Sequence, residues 1–187
     1  MEINYYNITI AFGVSEVLLA IAKRSKNTQI KNKADKNSML ILWLCIVGGL
    51  VLGGFAPGYI KSAFPAGTWI QKTGLVVVSI GFITRWVAIL QLGKMFTVDV
   101  SISSAHQLKT DGLYSLVRHP SYLGLLLILL GIGLFTGNLA ALIIVFVPSV
   151  LALIYRMKVE ENALITEFGP EYKDYKNRVA RIIPGVY

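Results

Sequence analysis

Two clusters in this 187-residue chain combine residue types and spacing that suit chemistry. The first lies in GLYSLVRHPSYLGLLLILLGIGLF, residues 112–135, where a polar, aromatic segment passes through Arg118-His119-Pro120 and turns into an apolar run. Pro120 suits the first position of a helix, because it has no amide hydrogen to leave unsatisfied. The amides of Ser121, Tyr122 and Leu123 should then point out of the helix start, backed by the positive end of the dipole. Such a terminus can take a carboxylate or a phosphate; an ordinary capped helix is the plainer reading. Gly124 permits close approach to the backbone. The second cluster is YRMKVEEN. Arg156 and Glu160 stand four apart and share a helical face, with Glu161 turned away from them. They form either a surface ion pair or a two-ended clamp, Glu160 for an ammonium or ribose hydroxyls and Arg156 for a carboxylate. Tyr114 could line a purine or sulfonium pocket through its ring, or belong to an interfacial aromatic belt.

The elements that must position these residues are apolar. The chain is 55% hydrophobic and 15% charged, against about a quarter charged in soluble domains. Its net charge of +8 would suggest nucleic acid in a soluble protein. Here the basic residues gather between apolar runs, as the positive-inside rule requires, so a lipid bilayer and no nucleic acid is expected. One cysteine, Cys45, and two histidines, His106 and His119, leave no disulfide and no metal centre to expect. Residues 1–22 lack a basic start and a small-residue cleavage site, so the first apolar run is expected to be retained.

Apolar runs cover 4–22, 38–60, 68–92, 120–135 and 139–155. The expected fold is an all-α polytopic integral membrane protein with five transmembrane helices, the last two a short hairpin, plus a cytoplasmic helical extension and tail. Glycines at 48, 49, 53 and 54 allow close helix packing in the second run. Arg85, within the third, should be paired or face water or a ligand. The segment 23–37, KRSKNTQIKNKADKN, reads as a cytoplasmic basic loop, and 93–119 as a second cytoplasmic loop. Thr136-Gly137-Asn138 joins the hairpin, whose first arm measures only about 24 Å, and Pro148 should kink the second. Helix five should continue past Arg156 to Gly169-Pro170. Tyr172, Tyr175, Arg178 and Arg181 in the tail read as headgroup contacts, and Ile182-Ile183-Pro184 as a membrane-surface tuck. Residues 1–92 form an N-terminal part of three helices and the basic loop, and 93–187 the catalytic region.

GLYSLVRHPSYLG at 112–124 followed by EENALITEFGPEYKDYKNRV at 160–179 resembles the isoprenylcysteine carboxyl methyltransferase family. The resemblance covers roughly residues 85–187. It implies an integral membrane enzyme that transfers a methyl group from S-adenosylmethionine to the carboxylate of a prenylated cysteine or related small isoprenoid acid. It also implies that His106, Gln107, Leu108, Lys109, Tyr114, His119, Pro120, Ser121, Tyr122 and Glu160 hold the cofactor, and that Arg156 faces the acceptor carboxylate. Asp99 falls where the family often has a polar cofactor contact. The same architecture resembles phospholipid methyltransferases. RHPxY and the ending RVARIIPGVY also resemble membrane sterol reductases, which use a reduced nicotinamide. A non-enzymatic membrane scaffold is a further alternative. The expected location is the cell membrane or the endoplasmic reticulum, with the site facing the cytoplasm.

Overall fold

The computed structural model describes residues 4–22, 33–61, 68–93 and 108–184. These residues form six α-helices: α1 (Tyr5–Ala22), α2 (Lys33–Tyr59), α3 (Thr68–Leu92), α4 (Pro120–Phe135), α5 (Leu139–Phe168) and α6 (Pro170–Arg178). A short 3₁₀ helix, Gly112–Ser115, precedes α4.

Among the described residues three helices, not five, are long and apolar enough to cross a membrane. They run over Asp35–Tyr59, Trp69–Leu92 and Leu139–Phe168. The apolar part of α1, Tyr5–Ile21, and the whole of α4 are shorter. The five-span expectation fails because an apolar run need not make a full-length helix. Pro120 starts α4, and Thr136 with Gly137 (φ 65°) ends it after 16 residues, about 24 Å against roughly 30 Å of hydrocarbon. The boundaries of α2 also differ: its first turn takes in Lys33 and Asp35 from the segment read as a loop.

The helices pair antiparallel, and glycine decides how closely. The most extensive packing is α3 on α4, followed by α2 on α5. In the first pair, Gly74 and Gly81 of α3 face Gly131 and Gly124 of α4, each set seven residues apart. A Cβ on Gly131 would lie 2.6 Å from the Gly74 carbonyl oxygen, and one on Gly124 2.6 Å from the Arg85 amide nitrogen. Backbone meets backbone there, as in other membrane helix pairs built on small residues. Gly124 thus admits α3 rather than a ligand. In the second pair, a Cβ on Gly49 would lie 3.1 Å from the Ile144 carbonyl oxygen. That oxygen has lost its usual helical donor, because residue 148 is proline. The helix nevertheless continues through Pro148 to Phe168.

A buried core runs through Phe12, Ile46, Val78, Ile128, Val145 and Leu153. Leu44, Phe55, Ile83, Leu90 and Leu151 point outward and stay exposed, as lipid-facing side chains do. At the far end of the hairpin, Asn138 caps α5 by accepting from the Ala141 amide at 3.0 Å and donates to the Ile60 carbonyl at 2.7 Å. Apart from Asn138 and Ser149, the buried polar residues lie at the opposite end, where α2 and α4 start and α3 and α5 finish.

Candidate active site

The polar end is built from two carboxylates on α5 with different neighbours. Glu160 is partly open, with 27% of its side chain exposed, whereas Glu161 is buried at 2%. The Tyr122 hydroxyl of α4 donates to Glu160 Oε2 at 2.7 Å. The Tyr122 ring stacks on His119, with centroids 5.5 Å apart and planes at 24°. His119 Nδ1 lies 4.0 Å from Glu160 Oε1, and its Nε2 lies 3.2 Å from Glu161 Oε1. An ionised carboxylate only accepts, so Nε2 carries a proton in this network. Glu160, Tyr122 and His119 therefore form one half-open wall of a carboxylate, a phenol and two stacked rings.

Glu161 faces the other way and gathers cations. Arg118 donates to its Oε1 from Nη2 at 3.0 Å and from Nε at 3.2 Å. Arg181 donates from Nε to Oε1 at 3.0 Å and from Nη2 to Oε2 at 2.7 Å, and Lys176 Nζ lies 3.7 Å from Oε2. Arg118 Nη1 also donates to the carbonyls of Lys176, at 2.9 Å, and Val179. The backbone completes the join. Val117 and Ala180 form a parallel bridge, and the amides of Arg118 and His119 donate to the carbonyls of Ala180 and Arg181 at 2.8 and 3.1 Å. The tail is thereby fastened across the start of α4.

This differs from the headgroup role expected of the tail. Tyr172, Tyr175 and Ile182 are buried, and Arg181 serves Glu161. The Tyr175 hydroxyl donates to the Tyr114 carbonyl at 2.6 Å, and burial pushes that hydroxyl's pKa up to about 12. Tyr172 Oη is buried with no hydrogen-bond partner among the described residues. Arg178, in contrast, is exposed and donates to the Asp174 carbonyl of its own helix.

Arg156 is 1% exposed and is no surface ion-pair member. Its Nη1 donates to the Asp35 carboxylate, to the Asp35 carbonyl at 3.1 Å and to Ser38 Oγ at 2.8 Å. Neither Asp35 nor Ser38 was marked by the sequence, which assigned Asp35 to a solvated loop. Arg85 is paired, one of the options open for it. It makes a two-pronged ion pair with Glu16 of α1, both bonds 2.6 Å, and reaches the Ser121 carbonyl at 3.1 Å. Charges within a span need such partners.

The remaining candidates divide. Pro120 and Ser121 are buried at the start of α4. The amides of Tyr122 and Leu123 donate to the His119 carbonyl at 3.1 and 3.0 Å, so they do not form the outward-pointing anion site expected of them. A tight i→i−3 turn satisfies Tyr122, and the first ordinary i→i−4 bond of the helix satisfies Leu123. The Tyr114 hydroxyl is turned to the Ala88 carbonyl of α3 at 3.3 Å, and burial raises its pKa. The Lys109 ammonium pairs with Asp111, at 2.8 Å from Oδ1, beside the half-buried Leu108. His106, Gln107 and Asp99 lie outside the described residues. No cluster of three or more metal-ligating side chains occurs among the described residues.

Comparison with known proteins decides the chemistry. Residues 73–166, from α3 to the charged end of α5, match the isoprenylcysteine carboxyl methyltransferase family. A protein-S-isoprenylcysteine O-methyltransferase B of Arabidopsis thaliana is 32% identical over 181 residues, 95% of this chain and 89% of that protein. The chain belongs to this family. The Saccharomyces cerevisiae protein-S-isoprenylcysteine O-methyltransferase is 37% identical over 113 residues, 59% of this chain and 47% of its own length. A solved structure of the eukaryotic intramembrane Ras methyltransferase superposes with a TM-score of 0.64 at 26% identity, covering 97% of this chain and 65% of that one. This family member is an integral membrane methyltransferase that uses S-adenosylmethionine. The donor set fits such a cofactor: Glu160 offers a half-open carboxylate for a cationic or hydroxyl-rich group, and Tyr122 and His119 offer aromatic surface beside it.

Proposed function

We propose that this methyltransferase esterifies the carboxylate of a prenylated cysteine, in a peptide or a small isoprenoid acid, at the polar end of its helices. One observation carries the placement: Glu160, held by Tyr122, and Arg156, held by α2, stand one turn apart on α5. A carboxylate on one side and a guanidinium on the other match the two charges that the reaction must bring together.

S-Adenosylmethionine, when bound, supplies a methyl group on a sulfonium sulfur. The acceptor oxygen forms a C–O bond as the C–S bond breaks, and the electron pair returns to sulfur. The products are a methyl ester and a neutral thioether. A carboxylate near pKa 4 is already ionised at neutral pH, so no side chain need remove a proton. The protein contributes by alignment and by stripping water from the nucleophile. In this reading Glu160, Tyr122, His119, Pro120, Ser121 and Tyr114 bound the cofactor's side, with 106–109 completing it, and Arg156 orients the acceptor. Residues 93–187 supply most of the chemistry, and 1–92 brace it.

The site faces the cytoplasm in this proposal. The basic segment 23–37 joins α1 to α2 at the end that carries the buried charges, which is the orientation the positive-inside rule favours. The prenyl chain enters from lipid between helices.

Purified protein in detergent should bind S-adenosylhomocysteine in calorimetry and transfer labelled methyl to N-acetyl-S-farnesylcysteine as a base-labile ester. Label on an amine-bearing lipid alone would move the acceptor to phospholipids. Binding of NADPH without S-adenosylhomocysteine would overturn the reading.

A further inference from the structure

Three contacts from α2 to Arg156 converge on one nitrogen, Nη1. Asp35 brings a carboxylate and its own carbonyl, and Ser38 a hydroxyl, from adjacent turns of the same helix. Ser38 Oγ in turn donates to the Asp35 carbonyl at 2.9 Å, which locks the pair together. Arg156, Asp35 and Ser38 are 1%, 3% and 0% exposed, so water does not share in this arrangement. The helix that supplies it stands 121 residues away in sequence, so the contact is tertiary rather than a by-product of α5.

A guanidinium that meets a substrate carboxylate in such a setting faces two opposed demands. It must bind the carboxylate, yet a full ion pair would draw charge from the oxygen that attacks. We propose that Asp35, seconded by Ser38, is a positioning residue for methyl transfer: it fixes the guanidinium through Nη1 and supplies a resident counter-charge, so the acceptor is held but stays nucleophilic. Asp35 acts through Arg156 and does not touch the reacting atoms. The inference rests on the proposed role of Arg156 toward the acceptor.

Its kinetic signature is specific. Removing the charge at 35 takes away one of the counter-charges that Arg156 shares with Glu160, so the acceptor carboxylate takes up more of the guanidinium's charge. Binding should tighten while the chemical step slows, the pattern of a lost ground-state penalty. A residue that only supports the fold would raise KM or lower the amount of active protein. The test is Asp35→Asn assayed with N-acetyl-S-farnesylcysteine at saturating S-adenosylmethionine, with S-adenosylhomocysteine affinity measured on the same preparation. The expected result is a kcat about tenfold lower, a reduced acceptor KM, and cofactor affinity within twofold of wild type. Unchanged constants, or a raised KM with kcat retained, would overturn the inference. If Asp35→Asn no longer binds S-adenosylhomocysteine, the same constants are read on Asp35→Glu, which keeps the charge but displaces it. A lowered kcat with cofactor binding retained supports the role, and wild-type kinetics refutes it. Failure of the wild-type protein to methylate the acceptor at all would instead overturn the proposed function.

Discussion

Two adjacent glutamates do different work here because a helix turns about 100° between them. Glu160 looks into the half-open wall and meets one hydroxyl, whereas Glu161 looks to the tail and meets Arg118, His119, Arg181 and Lys176. A carboxylate with few partners has capacity left for a ligand, and one already surrounded by cations does not. Glu160→Gln keeps the shape and removes the charge. Because bonds to charged groups are worth about 1.5–3 kcal/mol, S-adenosylhomocysteine should bind about tenfold more weakly or worse in calorimetry. Arg156→Lys should leave that affinity near wild type and raise the acceptor KM about tenfold, because a single ammonium cannot hold Asp35, Ser38 and a substrate in the guanidinium's planar geometry. Equal effects of both variants on cofactor binding would refute the division of labour.

At the scale of elements, the start of α4 is placed by its contact with α3. Gly74, Gly81, Gly124 and Gly131 let the two backbones approach, and the approach puts Arg85 against Ser121 just inside the helix start. Gly131→Ala would drive a methyl into the Gly74 carbonyl and the Val78 amide nitrogen, each 2.6 Å away. Overpacking of this kind costs about 1–3 kcal/mol, so the detergent-solubilised protein should melt several degrees lower. Gly48 has open space where a Cβ would go, and Gly48→Ala should melt at or slightly above wild type. Similar melting of the two variants would show that glycine does not set the spacing. Much at this scale was legible in the sequence. The runs 38–60 and 68–92 gave α2 and α3, the 136–138 turn gave the hairpin, and continuation to Gly169 gave the polar end of α5. The count of membrane-crossing helices was not legible, because hydropathy marks apolarity while Pro120 and Gly137 set length. The amides at 122 and 123 were misread for a local reason: with His119 as the cap, Leu123 already has a carbonyl four residues back, and for Tyr122 helix-terminus rules do not say whether a tighter turn supplies one.

At the scale of the molecule, buried charge is concentrated at one end and each part of it ties distant segments together. Arg85 joins α1 to α3 and α4, Arg156 joins α2 to α5, and Glu161 joins the tail to the start of α4. These long-range pairings were the part of the site that the sequence concealed. Nothing in KNKADKN marks Asp35 as the partner of an arginine 121 positions on, and nothing in NRVARII marks a strand-like bridge to Val117. Glu161→Gln tests the third tie. Breaking a buried pair by removing one partner costs about 3–5 kcal/mol. The amides of Arg118 and His119 should then exchange hydrogen much faster, and protease should reach residues 176–182 sooner. Protection unchanged from wild type would mean that the backbone bridge alone holds the tail.

That bridge also imposes an order in time. A chain made from its N-terminal end lays down Arg118 and His119 some sixty residues before the carbonyls of Val179, Ala180 and Arg181 that accept from them. Glu161 follows some forty residues on, but throughout the whole interval the start of α4 lacks the tail carbonyls that complete its bonding. The helix ahead of it can pack, glycine against glycine, but its polar start must stay in contact with water until the tail arrives. The catalytic wall is therefore the last part of the molecule to be finished, and a nascent chain with its helices already inserted has no complete place in which to act on lipid-borne acceptors.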